Sequence, residues 1–272
     1  MSDASLPLLY EKDGPIATFT LNRPAARNAL TPELVCRLAD AVRDFVEDPA
    51  LRVGIVTGSG DKAFCAGGDL GTMLPLLSGD RAPSDAWDRR VLEEPFVTAA
   101  SSLRDFPIDK PLVAAINGAC LAGGMEMVLG TDIRIAAEHA IFGLPEVRRA
   151  VIPFAGSLVR LPRQVAYCHA MELLLVGEAV SAPDAQRLGL VNHVVPAAQV
   201  MTKARELALR IAANGPVAVQ AVKRTVRTTS GLPLEQGFAL EDEAKRVVMA
   251  SQDAREGPRA FMEKREPRYV GR

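Results

Sequence analysis

Apolar positions along the chain fall into short runs punctuated by glycine and proline. Residues 15–21 (PIATFTL) alternate as a half-buried strand does, and Asn22-Arg23-Pro24 ends them. Thr31 is a good N-cap, Pro32 fits a first helical position, and Glu33 suits the N-terminal dipole. Leu34, Leu38, Val42, Phe45 and Val46 then share one helical face, and Asp48-Pro49 closes that helix. Residues 52–57 (RVGIVT) form the next strand, and 112–116 (LVAAI) read as a strand buried on both faces. Asn117-Gly118 turns the chain, and Gly123-Gly124 lead into MEMVL, the start of a buried helix.

A strand at 133–137, a helix over 157–165, an apolar run at 171–176, a short helix from the Ser181 cap to Gly189 and a strand at 190–195 follow. From Ala197 the pattern is helical, with breaks at Gly215-Pro216, Gly231-Leu232-Pro233 and Gly257-Pro258. Strand–helix alternation before residue 196 implies an α/β core over 1–196, with a helical oligomerisation region over 197–272. Residues 71–102, with Pro75, Gly79, Pro83 and Pro95, are the least regular stretch and read as a partly ordered lid.

A chain of 272 residues with 48% hydrophobic positions is one large domain, or one domain with an appendage. Its net charge of −1 gives no polyanion-binding surface, so no nucleic-acid partner is expected. No apolar run approaches the ~18 residues of a membrane span, and the N-terminal stretch lacks the basic and apolar parts of a signal peptide. A cytoplasmic location without a membrane partner is therefore expected. The four cysteines form no C-x-x-C pair and the three histidines are scattered, so no metal site is expected. Gly58, Gly60 and Ala63 imitate a dinucleotide fingerprint, but no helix opens within the motif.

The candidate chemistry lies between residues 63 and 146. Glu126 is flanked by Met125, Met127, Val128 and Leu129, which predicts burial of a carboxylate. Glu146 follows the turn Gly143-Leu144-Pro145, 20 residues later, enough chain for a helix, a strand and a return to one pocket. The loops Ala66-Gly67-Gly68-Asp69 and Ala122-Gly123-Gly124 each can present a bare backbone N–H. Two such donors make an oxyanion hole, whereas one glycine turn alone would mean only a turn.

Taken together, NRPAARNALT (22–31), AFCAGGDL (63–70), KPLVAAINGACLAGGMEM (110–127), IFGLPE (141–146), GLVNHVVP (189–196) and FMEKREPRYVGR (261–272) resemble the enoyl-CoA hydratase/isomerase, or crotonase, family. The resemblance implies an α/β spiral of β-β-α turns with C-terminal helices that pack homotrimers, often paired as dimers of trimers. It implies an acyl-CoA substrate and no separate cofactor, coenzyme A being part of the substrate. It places the thioester oxygen on the N–H groups of Gly68 and Gly123. Glu126 would activate water and Glu146 would protonate C2, in the manner of an enoyl-CoA hydratase. Retention of both glutamates favours hydration over isomerisation by Glu146 alone; dehydration of a functionalised acyl-CoA is the close alternative, and RNA binding a remote one. Ala26 and Arg27 match the coenzyme A path, Ala66, Asp69 and Leu70 the adenine and pantetheine contacts, Pro145 the turn before the second glutamate, and Phe261 and Lys264 residues that reach a neighbouring subunit's ligand.

The chain departs from the family pattern over 148–158, where Ala150, Phe154 and Ser157 replace expected glycines. The resemblance implies that the N–H at the Phe154 position orients the attacking water. A pocket-facing Phe154 ring would exclude bulk near C3, whereas a core-facing ring would make truncation cost about 3–5 kcal/mol.

Overall fold

The computed structural model describes residues 5–104 and 106–272; the first four residues of the stretch read for a leader lie outside it. In chain order the strands are β1 (Leu8–Asp13), β2 (Ile16–Leu21), β3 (Val53–Gly58), β4 (Ala63–Cys65), β5 (Leu112–Ile116), β6 (Ala119–Leu121), β7 (Ile133–Ala137), β8 (Ile141–Gly143), β9 (Val180–Ser181) and β10 (His193–Val195). The helices are α1 (Pro32–Glu47), α2 (Met73–Ser78), α3 (Ala86–Glu93), α4 (Pro95–Ser101), α5 (Gly123–Val128), α6 (Ser157–Gln164), α7 (Tyr167–Val176), α8 (Ala182–Arg187), α9 (Val200–Ala212), α10 (Pro216–Thr229), α11 (Leu234–Ala250) and α12 (Asp253–Met262).

The strands make two sheets, a larger one ordered β1-β2-β3-β5-β7-β10 and a smaller one ordered β4-β6-β8-β9. All neighbours are parallel except β1 with β2 and β8 with β9. Each of the pairs β3–β4, β5–β6 and β7–β8 gives one strand to the larger sheet and the next to the smaller. Successive turns of chain therefore advance both sheets by one strand, which is the expected spiral. Every residue of β5 is buried, as its unbroken apolar run requires.

Local chemistry starts and stops the elements much as the sequence implies. The Thr31 side chain accepts a hydrogen bond from Leu34 N at 3.3 Å, with Pro32 opening α1. Ser181 likewise accepts from Asp184 N at the start of α8. The 190–195 strand is shorter than expected, only His193–Val195 joining the sheet.

Two expectations are corrected. Residues 71–102 are not irregular: they form α2, α3 and α4. Gly79 and Pro95 are caps: Gly79 takes a left-handed φ of 81° after α2 and Pro95 opens α4. Arg81 pairs with the buried Asp88 inside the segment, Arg90 pairs with Asp40 of α1, and Leu76, Val91, Val97 and Ala100 join the core, so the segment is fastened to it. Secondly, α12 runs through Gly257-Pro258 without a break, and the real interruption lies at Ser251-Gln252. Proline there removes one backbone hydrogen bond, and the rest of the helix retains its own. The hydrophobic core also takes in residues of the C-terminal helices. Val200, Ala204, Ala208 and Ala212 of α9 belong to it, whereas α11 has no buried residue.

Candidate active site

The smaller sheet assembles the site. Because β4, β6 and β8 are parallel neighbours, the loops leaving their C-terminal ends emerge side by side. The first carries Gly67 and Gly68, the second Ala122 and Gly123, the third Pro145 and Glu146. The first loop is tied to residues 27–30: Leu30 N donates to Gly67 O at 2.8 Å, Asp69 N to Leu30 O at 2.9 Å and Ala66 N to Arg27 O at 3.0 Å. Gly68 is exposed, and its N–H makes no hydrogen bond among the described residues. Gly123 is the first residue of α5, so its N–H has no partner one turn earlier. A Cβ built on Gly123 would lie 3.7 Å from Gly68 N, which places the two amides together. Ala122, just before Gly123, has φ 50° and ψ −128°, a conformation strained for any residue but glycine. Gly124 lets α5 approach β4, for a Cβ there would stand 2.6 Å from Cys65 O.

Glu126 is 4% exposed, as its apolar flanks imply. Its Oε1 accepts hydrogen bonds from Ala155 N at 2.7 Å, Ser157 Oγ at 2.9 Å and Ser157 N at 3.3 Å. Glu146 is half-buried in a short 3₁₀ turn, Pro145–Arg149, and its Oε2 is buried with no hydrogen-bond partner among the described residues. Burial pushes the Glu146 carboxyl up to about 7, and the nearby Glu126 charge adds to the rise. One carboxylate is thus held by donors, while its neighbour retains a proton near neutral pH. Such a pair can take one proton and give another.

The sign of the stability effect follows. Glu146 titrates above its usual 4.5 in the folded state, so its contribution is complete below about 4.5 and is lost as pH rises through about 7. Allowing for its partial exposure, the difference is about 1–2 kcal/mol. Glu146→Gln is expected to melt higher than the parent at pH 8, and the advantage to vanish at pH 4.5. Thermal unfolding at both pH values checks this; an advantage independent of pH would contradict it.

Comparison with known proteins gives the same reading from a different direction. The family model described as enoyl-CoA hydratase/isomerase matches residues 11–272. The chain belongs to the enoyl-CoA hydratase/isomerase family. It is 42% identical to enoyl-CoA hydratase EchA19 of Mycobacterium tuberculosis, over 97% of this chain and 96% of that one. It is 38% identical to carnitinyl-CoA dehydratase of Salmonella paratyphi A, over 96% and 97% of the two chains. The crystal structure of an enoyl-CoA hydratase from Bacillus anthracis superposes with a TM-score of 0.87 at 36% identity, covering 98% of this chain and 100% of that one.

Within this hydratase/isomerase fold, the other residues singled out in the sequence fall in three places. Ala26, Arg27, Ala66, Asp69 and Leu70 lie on the two hydrogen-bonded loops beside Gly68. Leu70 and Arg27 are exposed, but the Asp69 side chain is committed. Its Oδ1 accepts from Gly71 N, Thr72 N and Thr72 Oγ, and its Oδ2 pairs with Arg23 at 3.1 Å. Burial works to raise the Asp69 carboxyl, yet Arg23, Thr72 and Gly71 together hold it below the usual range. Its side chain therefore shapes the loop, leaving backbone for a ligand. Phe261 and Lys264 stand at the far end of α12, with Phe261 86% exposed, and neither makes a hydrogen bond to the site among the described residues. Phe154 is 56% exposed, which excludes the core-facing alternative.

Ser157 and Arg160 were missed as site residues. Arg160 Nη1 donates to Glu126 O at 3.4 Å and to Ser102 O at 3.2 Å, joining α5 to the end of the lid. Arg104 Nη1 donates to Phe154 O at 2.8 Å across the same gap. These contacts span 34 to 58 residues of chain, and the sequence offers no local signal for them. A separate open cleft of ≈ 520 Å³ is lined by Arg23, Thr31, Thr72, Arg81 and Trp87. It contains neither glutamate, and its arginines are occupied by Asp69 and Asp88.

Proposed function

We propose that this enzyme adds water across the 2,3 double bond of an acyl-CoA thioester. The N–H groups of Gly68 and Gly123 receive the thioester oxygen as negative charge develops on it. Glu126 takes a proton from water while the water oxygen bonds to C3, and Glu146 gives its proton to C2. The loops bearing Ala26, Arg27, Ala66, Asp69 and Leu70 hold the coenzyme A portion. The observation that carries this reading is the opposed state of the two carboxyls, Glu126 Oε1 held by three donors and Glu146 raised to about 7. An isomerase needs one carboxyl alone and would have no use for the first. The reverse reaction, dehydration of a functionalised 3-hydroxyacyl-CoA, uses the same groups, and the 38% identity to a carnitinyl-CoA dehydratase favours testing it.

The exposed Phe154 ring borders this pocket in the proposal and limits acyl bulk near C3. Assay of short and long 2-enoyl-CoA thioesters by loss of enoyl absorbance tests both parts: turnover with a short-chain preference is expected. Absence of turnover on every thioester, in either direction, would end the hydratase reading.

Helices α10, α11 and α12 carry the exposed apolar residues Val222, Val226, Leu234, Phe238, Met249 and Met262. Large exposed apolar residues in this number point to a covered face, and trimerisation is the proposed cover, bringing Phe261 and Lys264 to a neighbour's ligand. Light scattering is expected to return three or six times the 29.1 kDa chain mass; a stable monomer would contradict it.

A further inference from the structure

Ser157 brings a side-chain hydroxyl to the Glu126 carboxylate. It is fully buried and opens α6, directly after Gly156, whose φ is 118°. Gly156 supplies no side-chain cap to α6, and the Glu126 carboxylate stands in that place, accepting from Ser157 N. The Ser157 hydroxyl makes the shorter contact to the same oxygen, 2.9 Å against 3.3 Å for the amide.

Three donors on Oε1 leave that atom no lone pair for a proton. Glu126 Oε2 differs: it has no donor among the described residues, and it is not sealed from solvent as Glu146 Oε2 is. The two oxygens of Glu126 are thereby made unequal by their surroundings, one an anchor and the other open. A carboxylate held only by backbone N–H groups could turn about its terminal bond and exchange the two. The hydroxyl is a third point of attachment from a side chain fixed inside the core.

We propose that Ser157 is a positioning residue, whose hydroxyl locks Glu126 by Oε1 so that Oε2 alone faces the water it deprotonates. This rests on the hydration reading for its chemical consequence, though not for the contact itself. The proton leaves water for Glu126 Oε2, the water oxygen bonds to C3, and the C2 proton comes from Glu146, so the atoms balance without another reactant.

The test is Ser157→Ala, which removes the hydroxyl and keeps both backbone donors. On the best enoyl-CoA, kcat is expected to fall about 10- to 100-fold, the range for a hydrogen bond to a charged group. KM should stay within about twofold, because no substrate contact is lost. The second measurement needs no turnover: the infrared carboxylate band of Glu126, assigned by the difference spectrum against Glu126→Gln, should shift in Ser157→Ala. An unchanged band overturns the proposed lock whatever the activity. A shifted band with kcat within twofold of the parent overturns the positioning role. If the parent hydrates no thioester, the hydration reading fails, and the band still decides whether Ser157 holds Glu126.

Discussion

Glu126→Gln and Glu146→Gln are each expected to lower kcat by about 10³-fold, within the range for loss of a positioned acid or base. Both should keep the fold. A glutamine oxygen at 126 can accept the same donors from Ala155 and Ser157 that the carboxylate accepts. At 146 the amide cannot ionise, so the destabilisation that follows loss of the Glu146 proton near pH 7 disappears. Binding of an unreactive acyl-CoA should persist, since the amides of Gly68 and Gly123 are untouched. The double variant should be little worse than either single one, because the two groups serve one step. Steady-state kinetics with circular dichroism decides this: either single variant within tenfold of the parent would remove its glutamate from the proposed mechanism.

Gly67→Ala is expected to damage stability and turnover together. Gly67 has φ 98°, where an L side chain is strained, and a Cβ there would stand 2.5 Å from Ala122 Cβ and 3.2 Å from Gly123 N. The strain costs about 1–3 kcal/mol, and the clash adds about 1–3 kcal/mol more. Relief requires the first loop to move from the second, which separates the Gly68 and Gly123 amides. Displacing one such donor costs about 10²–10³ in kcat. Gly79→Ala is the control: its φ is 81°, yet nothing lies within 4 Å of a Cβ there. It should lose about 1–2 kcal/mol from strain and keep near-normal turnover. Equal behaviour of the two variants in denaturant titration and assay would refute the close-approach argument.

Much of this fold was legible where one short stretch contains its own cause. Thr31, Pro32 and Glu33 start α1 by contacts within four residues, and the unbroken run Leu112–Ile116 is buried on both faces. The burial of Glu126 could be read from its methionine and valine neighbours for the same reason. The smaller sheet was not legible strand by strand, because β4, β6 and β8 have three residues each, too few to show a period of two. Only the family resemblance anticipated the spiral they complete. Gly79, Pro95 and Pro258 were misread because the same residue types break helices, cap them or sit within them, and tertiary packing decides which. The partners of Glu126 were beyond reach, since Ser157 meets it across 31 residues of chain. So was the raised Glu146 carboxyl, whose cause is burial by the assembled fold.

The most direct test of the account is the hydration of a short 2-enoyl-CoA in D₂O, followed by NMR of the product. The account predicts a 3-hydroxyacyl-CoA with one deuterium at C2, stereospecifically placed, because Glu146 exchanges with solvent and delivers its proton to that carbon. A product with its double bond moved to the 3,4 position and no 3-hydroxyl, or recovery of unreacted thioester alone, would contradict it.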